Sequence, residues 1–286
     1  FASALFGAWA ADKVIYLPGD TLPSTCANLR QIVHGYLGEF APQWDPMIPT
    51  PQDEEDRGNA RDWLNGDFVG LVLFTSGSTG APEAIPKKLS QMSREVATLE
   101  TLFGDPLSTA EVITTVSHQH IYGLLFNVLW PLVAGRAIHA RNFLFPQELT
   151  AVLADRDGLL VSSPAHLKRL PEQPVWATIS NRLRGVFSSG GPLSFDVACD
   201  AKRLLGLVPI EIYGSSETGG VAWRQQHTRM DEAWTPMPGI TCRIDSEEGV
   251  LEVRSPHLPD DNWFRTADRA LSLGNDRFLI KGRGAR

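Results

Sequence analysis

The sequence predicts an α/β protein with doubly wound, largely parallel sheets, followed by a smaller antiparallel β subdomain near the C-terminal end. Up to about residue 226, short apolar runs typical of buried strands alternate with segments whose apolar residues recur at helical spacing. Beyond it, alternating segments are separated by turn signals such as Glu248-Gly249, which is typical of antiparallel strands. We therefore divide the chain into an α/β core, 1–226, and a β-rich subdomain, 227–286.

The predicted elements follow from these patterns in chain order. The N-terminal part predicts a helix over 1–13, a strand over 13–19 and a helix over 22–37, and the proline-rich, acidic segment 41–62 predicts a surface connection. Strands are then predicted at 68–74, 111–117, 136–140, 158–163, 182–189 and 208–214. Helices are predicted at 90–103 with Ser90 as N-cap, 121–133, 146–156 and 194–206. In such sheets ligands bind at the carboxyl ends of the strands.

Composition excludes several classes of function. The net charge of -7 and the lack of a basic run argue against nucleic acid as a partner, because phosphate backbones require basic patches. No stretch approaches the roughly 20 apolar residues of a membrane span. Three widely spaced cysteines, Cys26, Cys199 and Cys242, do not form a disulfide framework, so a cytoplasmic location is predicted.

The first candidate motif is TSGSTG, residues 75–80, directly after a predicted buried strand. Glycines let a backbone approach a phosphate and turn its N–H groups inward, and hydroxyls add further donors. The motif is not a Walker loop, since GxxxxGK[ST] is absent. The alternative interpretation is a flexible Ser/Gly turn.

The second candidate motif is EIYGSSETGG, residues 211–220, where an apolar strand ends at Tyr213-Gly214. An aromatic ring at a strand end can stack on a base. The nearby carboxylate of Glu217 can hold Mg²⁺, which keeps most of its waters and takes only one or two protein carboxylates. The alternative interpretation is a tight turn with a solvated glutamate.

Taken together and in order, these motifs resemble the adenylate-forming superfamily of acyl-CoA synthetases, peptide-synthetase adenylation domains and luciferases. Between and after them, His120 to Gly123 resembles the family's His-x-x-Gly segment, and FSSGGPLS, 187–194, resembles its glycine pair beside adenine. Thr266-Ala267-Asp268 resembles the Thr-Gly-Asp signature, and IKGRGAR resembles the Gly-Arg that ends the large domain. The matches run from about residue 66 to the end of the sequence.

The resemblance implies a role for each matching residue. Those implied to hold the β- and γ-phosphates of ATP are Thr75, Ser76, Gly77, Ser78, Thr79 and Gly80. Those implied to surround the adenosine are Ser189, Gly190, Gly191, Tyr213, Asp268 and Arg283. The implied catalytic set is His120, which would border the carboxylate substrate with Gly191, Ser216 at the α-phosphate, and Glu217 holding Mg²⁺.

The implied reaction joins two anions. A carboxylate attacks the α-phosphorus of ATP and gives an acyl-adenylate and pyrophosphate, and the acyl group then passes to a thiol of coenzyme A or an acyl carrier protein. Mg²⁺ and converging donors must offset the repulsion. The implied pocket walls are apolar, which favours an acyl or aryl acid; they include Tyr122, Phe126, Val186 and Phe187.

The sequence also departs from the family pattern. Glu83 stands where the family usually carries lysine, and Ala267 replaces the glycine of Thr-Gly-Asp. The small C-terminal domain, which carries a further lysine in the family, is not present in these 286 residues. We therefore expect a truncated adenylation domain that ends at the hinge and has weak activity. The alternative is a degenerate, non-catalytic nucleotide-binding or scaffold module.

Overall fold

The fold is described by a computed structural model that covers residues 1–48, 64–75, 83–143 and 146–283. The chain divides into two compact units, Phe1–Met92 and Ser93–Arg286. The boundary falls within helix α3 (Leu89–Leu107).

The first unit contains a small mixed sheet. Its helices are α1 (Ala2–Ala10) and α2 (Pro23–Leu29), and its strands are β1 (Ile15–Leu17), β2 (Val69–Thr75) and β3 (Glu83–Lys88). The strand order is β1-β2-β3; β2 runs parallel to β1 and antiparallel to β3. Cys26, Leu29 and Tyr36 form a local core, in which the Tyr36 hydroxyl donates to the Cys26 carbonyl at 2.6 Å.

The second unit is built on a six-stranded sheet in the order β4-β5-β6-β7-β8-β9. Its strands are β4 (Glu111–Thr114), β5 (Gly158–Ser162), β6 (Leu183–Ser188), β7 (Ile210–Ser215), β8 (Gly219–Gln225) and β9 (Thr235–Pro236). Strands β4 to β7 are parallel, and β8 and β9 add antiparallel. Parallel order follows because helices connect successive strands.

The described helices that follow β3 are α3 (Leu89–Leu107), α4 (Ile121–Leu124), α5 (Trp130–Val133), α6 (Pro146–Val152), α7 (Pro164–Leu167), α8 (Val175–Ile179) and α9 (Phe195–Leu205). A π-helical turn, Leu125–Leu129, joins α4 to α5. Ser194 caps α9 by accepting from the Val197 N–H, and Gly206 ends it in the left-handed region.

Both faces of the six-stranded sheet are covered. On one face the Phe187 ring packs against Phe103, Phe126 and Trp130, with ring centroids 5.1 to 5.7 Å apart. On the other face Val186 belongs to a hydrophobic core with residues of α6, α8 and α9. Successive strand residues point to opposite faces, so the sheet forms the middle layer of a doubly wound arrangement.

A separate antiparallel sheet follows in the order β10-β11-β12-β13. Its strands are β10 (Thr241–Ile244), β11 (Val250–Arg254), β12 (Phe264–Gly274) and β13 (Arg277–Arg283). Asn275 and Asp276 both have positive φ, 50° and 59°, which suits the tight turn between β12 and β13. The predicted fold class, including the antiparallel part at the C-terminal end, is confirmed.

Three local predictions are wrong. The helix predicted over 22–37 ends at Leu29, because Tyr36 turns inward to bond the Cys26 carbonyl. The segment 136–140 forms only an isolated bridge, between Ile138 and Val112, and is not a strand. Helix α3 starts at Leu89, so Ser90 lies inside the helix and is not its N-cap.

Candidate functional site

The turn between β7 and β8 presents Ser216 and Glu217. Its base is held by Ser215 and Thr218: the Ser215 N–H donates to Thr218 Oγ1 at 3.1 Å, and the Thr218 N–H donates to Ser215 Oγ at 3.2 Å. Thr218 is buried, whereas Ser216 and Glu217 are half-buried. A rigid base with a more exposed tip suits a turn that contacts a ligand.

Tyr213, Asp268 and Arg283 form one cluster. The Tyr213 hydroxyl donates to Asp268 Oδ2 at 2.7 Å, and Arg283 Nε lies 3.7 Å from Asp268 Oδ1. Burial, followed by the hydrogen bond to Asp268, raises the pKa of Tyr213 well above its ordinary value, so the phenol stays protonated and donates. Its ring also packs near Trp234, with 5.6 Å between centroids. The cluster joins β7 to β12 and β13.

The segment Ser189-Gly190-Gly191 lies beside this cluster. Ser189 Oγ donates to the Ile212 carbonyl at 2.8 Å, which ties the segment to β7. Gly190 has a φ of 87°, and an added Cβ at Gly190 or Gly191 would meet no heavy atom of the described residues within 4 Å. The backbone here is therefore open to a flat group such as a base.

A buried ion pair supports the same segment from behind. Arg224 Nε and Nη2 each donate to the Glu211 carboxylate at 2.9 Å, and Glu211 is only 2% exposed. Glu211 Oε2 also accepts from the Leu193 N–H at 3.4 Å. Sequence reasoning missed this pair, although a carboxylate inside an apolar strand is a signal of a buried partner.

His120 precedes helix α4 and is exposed. Gly123, one turn later, is enclosed, since an added Cβ would lie 1.9 Å from the Ser117 carbonyl oxygen. The glycine of the His-x-x-Gly segment thus lets α4 pack directly on the preceding backbone. Within the part of the chain that is described, no hydrogen bond or ion pair links His120 to the Tyr213 cluster.

The residues expected to line the acid pocket do not all share one face. The rings of Tyr122 and Phe126 are 4.7 Å apart, and Phe126 lies 5.1 Å from Phe187. Val186 belongs to the hydrophobic core on the opposite face of the sheet. The aromatic wall is therefore Tyr122, Phe126 and Phe187, because adjacent strand residues alternate in direction.

Of the first motif, only its start is described. Thr75 ends β2 and pairs in register with Glu83 at the start of β3, and the Glu83 side chain is exposed. Ser76, Gly77, Ser78, Thr79 and Gly80 lie outside the described residues. Their predicted contacts with phosphate therefore stay predictions.

The donor set suits Mg²⁺ better than a tightly chelated metal. Glu217 is the carboxylate at the β7–β8 turn, and the described residues contain no group of three or more His, Cys, Asp or Glu side chains that could hold a metal ion. Mg²⁺ commonly takes one or two carboxylates and completes its shell with phosphate oxygens and water. A single carboxylate on an accessible turn fits that pattern.

The fold and the site define a class: a doubly wound α/β protein whose polar residues and glycines follow the carboxyl ends of β6 and β7. The chain belongs to the AMP-binding enzyme family, whose model matches residues 21–258. Among the described residues, no helix is long and apolar enough to cross a bilayer.

Several relatives carry named activities. The chain is 32% identical over 220 residues to a 4-coumarate–CoA ligase of Rhodobacter capsulatus, covering 74% of this chain and 51% of that protein. It is 28% identical over 188 residues to a 4-coumarate–CoA ligase of Cereibacter sphaeroides, covering 64% and 43%. The chain thus spans about half the length of these curated relatives.

Solved structures share the fold. A malonyl-CoA ligase with methylmalonyl-CoA and AMP bound superposes with a TM-score of 0.78 at 21% identity, covering 100% of this chain and 70% of that one. ATP-bound MatB from Rhodopseudomonas palustris gives 0.66 at 22% identity, covering 77% and 49%. At these identities the likeness concerns the fold.

Proposed function

We propose that this protein uses ATP and Mg²⁺ to convert an acyl or aryl carboxylic acid into its acyl-adenylate and pyrophosphate, in the cytoplasm. The acyl group would then pass to the thiol of coenzyme A or of an acyl carrier protein. The observation that carries the proposal is the Tyr213–Asp268–Arg283 cluster. It unites three residues, far apart in sequence, that the family resemblance assigns to the adenosine.

In this mechanism the chain positions the reactants and offsets their charge. Asp268, oriented by the Tyr213 hydroxyl, accepts from the ribose hydroxyls, and Arg283 lies on the same carboxylate. The open Gly190-Gly191 backbone lies along adenine. These contacts fix the α-phosphorus for in-line attack by the acid, which forms the acyl–oxygen–phosphorus linkage and releases pyrophosphate.

Ser216 and Glu217 act at the phosphates. The Ser216 hydroxyl would donate to the α-phosphate, and the Glu217 carboxylate would hold Mg²⁺, which would neutralise phosphate charge. The loop from Thr75 to Gly80 would hold the β- and γ-phosphates. No side-chain nucleophile is needed, because the substrate carboxylate is itself the attacking group.

An aryl or acyl acid suits the aromatic wall of Tyr122, Phe126 and Phe187. His120, at the entrance of α4, would border the carboxylate end of that substrate. Relatives are named for acids of both kinds, including anthranilate in Pseudomonas aeruginosa and propionate in Escherichia coli. The apolar wall contributes by removing ring or chain surface from water.

The test is calorimetric titration with ATP, with and without Mg²⁺, on the protein and on Glu217→Gln. We expect Mg²⁺ to strengthen ATP binding, and Glu217→Gln to abolish most of that gain, roughly tenfold or more in Kd, because a charge-assisted contact of this kind contributes about 1.5–3 kcal/mol. Glu247→Gln, at an exposed position in the turn after β10, is the matched control and should bind as the parent does. Equal Mg²⁺ dependence in the parent and Glu217→Gln would refute the assignment.

A second candidate is a non-catalytic nucleotide-binding or scaffold module. Glu83 favours it, since this exposed carboxylate pairs in register with Thr75, where negative charge opposes phosphate. The same titration distinguishes the scaffold form of this candidate: a scaffold without nucleotide function shows no Mg²⁺-dependent ATP binding for Glu217→Gln to remove.

A further inference from the structure

The backbone of Gly219 and Gly220, which follows the Ser216–Glu217 turn, is enclosed by buried polar side chains. The Gly220 N–H donates to Glu95 Oε1 at 2.6 Å, and the Gly220 carbonyl accepts from His257 Nδ1 at 3.0 Å. Because a carbonyl only accepts, Nδ1 carries a proton. Both polar groups of Gly220 are therefore held by side chains from distant segments.

These side chains are held in turn. His257 Nε2 lies 3.3 Å from Thr98 Oγ1, one helical turn after Glu95 on α3. The His257 N–H donates to Ser255 Oγ at 3.1 Å, and Arg94 Nη1 donates to the Pro256 carbonyl at 3.4 Å. We call Glu95, Thr98 and His257 the Gly220 support. These side chains have little freedom to move, because Glu95 and Thr98 lie on helix α3 and the segment that carries His257 is hydrogen-bonded to Arg94 and within itself.

Burying these groups is expensive, which indicates that they do more than fill space. Glu95 is 5% exposed and His257 1% exposed. An apolar pair of similar volume would pack without the desolvation penalty of a carboxylate and an imidazole. What the polar pair provides is a fixed orientation of one peptide segment, three residues after Glu217.

The fit around Gly219 is close as well. Gly219 has a φ of 68°, and a Cβ added there would lie 2.5 Å from Glu95 Oε2 and 3.2 Å from His257 Cβ. The hydrogen bonds between Ser215 and Thr218 stabilise the base of the turn, and the Gly220 support fixes the backbone directly after it. The tip that carries Ser216 and Glu217 is therefore fixed at both ends.

We propose that Glu95 and His257 are positioning residues that orient the Ser216–Glu217 turn for the metal–nucleotide complex. This inference rests on the proposed function, and it assigns a role to two residues outside the family motifs. Partners that orient a metal ligand commonly change metal affinity by about 10- to 100-fold when removed. We expect the same class of effect here.

The first experiment needs no ligand. Amide hydrogen exchange over residues 215–220 is measured in the parent, Glu95→Ala, His257→Ala and Glu95→Gln. Exchange in the two alanine variants should be about tenfold faster or more, since the turn loses a fixed end. Glu95→Gln keeps an oxygen that accepts from Gly220 and should restore most of the protection. Unchanged exchange in both alanine variants overturns the proposal.

The second experiment measures ATP affinity with Mg²⁺ and with EDTA, well below each unfolding midpoint. Both alanine variants should lose about tenfold in the Mg²⁺-bound affinity but less than about twofold without Mg²⁺. Their effects should combine less than additively, because both act on Gly220. The control is Glu100→Gln, on the same helix but bonded to Arg136, which should lose stability and keep its Mg²⁺ dependence.

The outcomes separate the two claims. If the parent shows no Mg²⁺-dependent ATP binding, the proposed function fails, and with it the role of the support toward the nucleotide. If the parent binds and the alanine variants retain its Mg²⁺ dependence, only the present inference fails. An equal loss in Glu100→Gln also overturns it, because the effect would then follow general destabilisation.

Discussion

At the scale of single residues, Gly123 shows how backbone contact determines residue identity. Its missing side chain lets α4 lie directly on the Ser117–His118 backbone, where a Cβ would come within 1.9 Å of a carbonyl oxygen. Such an overlap is with backbone, which cannot rotate away as a flexible side chain does. The glycine of the His-x-x-Gly segment is thus required by packing, whatever the role of His120.

We expect Gly123→Ala to lower the free energy of unfolding by about 3 kcal/mol or more, since the helix and the 117–118 backbone must separate. Chemical denaturation measures the change. Gly7→Ala is the matched control: it lies in helix α1, where an added Cβ would meet no heavy atom of the described residues within 4 Å, and should gain about 0.5–1 kcal/mol. A loss below about 1 kcal/mol in Gly123→Ala would contradict the close packing.

At the scale of elements, α3 is tied to the turn after α5 by Arg136. Its guanidinium donates to Glu100 at 2.7 and 3.1 Å, to the Gly104 carbonyl at 3.1 Å and to the Ser108 carbonyl at 2.9 Å. Trp130 Nε1 donates to the same carboxylate at 2.6 Å. The hydrogen bond from Arg136 holds the pKa of Glu100 below its ordinary value.

A lowered carboxyl pKa stabilises the folded state above about pH 4.5, and this contribution disappears as pH falls through the folded-state pKa. At pH 7 we expect Glu100→Gln to cost about 1–2 kcal/mol, a discounted figure because the carboxylate is 43% exposed. The difference from the parent should shrink as urea denaturation is repeated at progressively lower pH below 4.5. Glu172→Gln, which removes an exposed ion pair with Arg203, is the control, and its free energy of unfolding should stay near that of the parent. A difference between the parent and Glu100→Gln that does not change with pH would argue against the Glu100–Arg136 ion pair.

Sequence patterns predicted elements best where burial alone decides them. The apolar runs at 158–163 and 182–189 became β5 and β6, and Ser194 and Gly206 bound α9 as helix-capping preferences predict. Strand β8, by contrast, shows no strict alternation of polar and apolar residues. Its antiparallel pairing with β7 is supported instead by the turn between the two strands and by the Glu211–Arg224 ion pair. Long-range pairing of this kind is not encoded in local periodicity.

The residues of the candidate site likewise fall into two groups, those that sequence motifs indicate and those that no local pattern indicates. Tyr213, Asp268 and Ser189 were reachable from motifs, and the structure joins them through direct hydrogen bonds and Ile212. Glu95 and His257 were not, because neither belongs to a motif. One signal existed: Glu95 falls on the apolar stripe of α3 with Met92, Val96 and Leu99, where a charged residue requires a buried partner.

At the scale of the whole molecule, the matched part of the chain covers about half the length of the curated relatives. The residues proposed to bind ATP belong to the α/β part and to the antiparallel sheet. Glu83 belongs to the α/β part and stands where the family usually carries lysine.

We expect these 286 residues to bind ATP with Mg²⁺ yet to give little acid-dependent ATP–pyrophosphate exchange, because the exposed Glu83 carboxylate stands where the family usually carries lysine and opposes the developing negative charge. The measurement is isotope exchange with a panel of aryl and acyl acids. Activity far above the Glu217→Gln background would show that the residues described here suffice for the chemistry.

The short bond from the Gly220 N–H to the buried Glu95 carboxylate has a spectroscopic consequence. An amide proton that donates to a carboxyl oxygen over an N–O distance of 2.6 Å is deshielded, so we expect its resonance to separate from those of ordinary amides. With glycine as the only ¹⁵N-labelled residue type, this proton becomes a single-site reporter on the segment behind Glu217. Binding at the proposed phosphate site can then be followed by one resolved peak, without a substrate label.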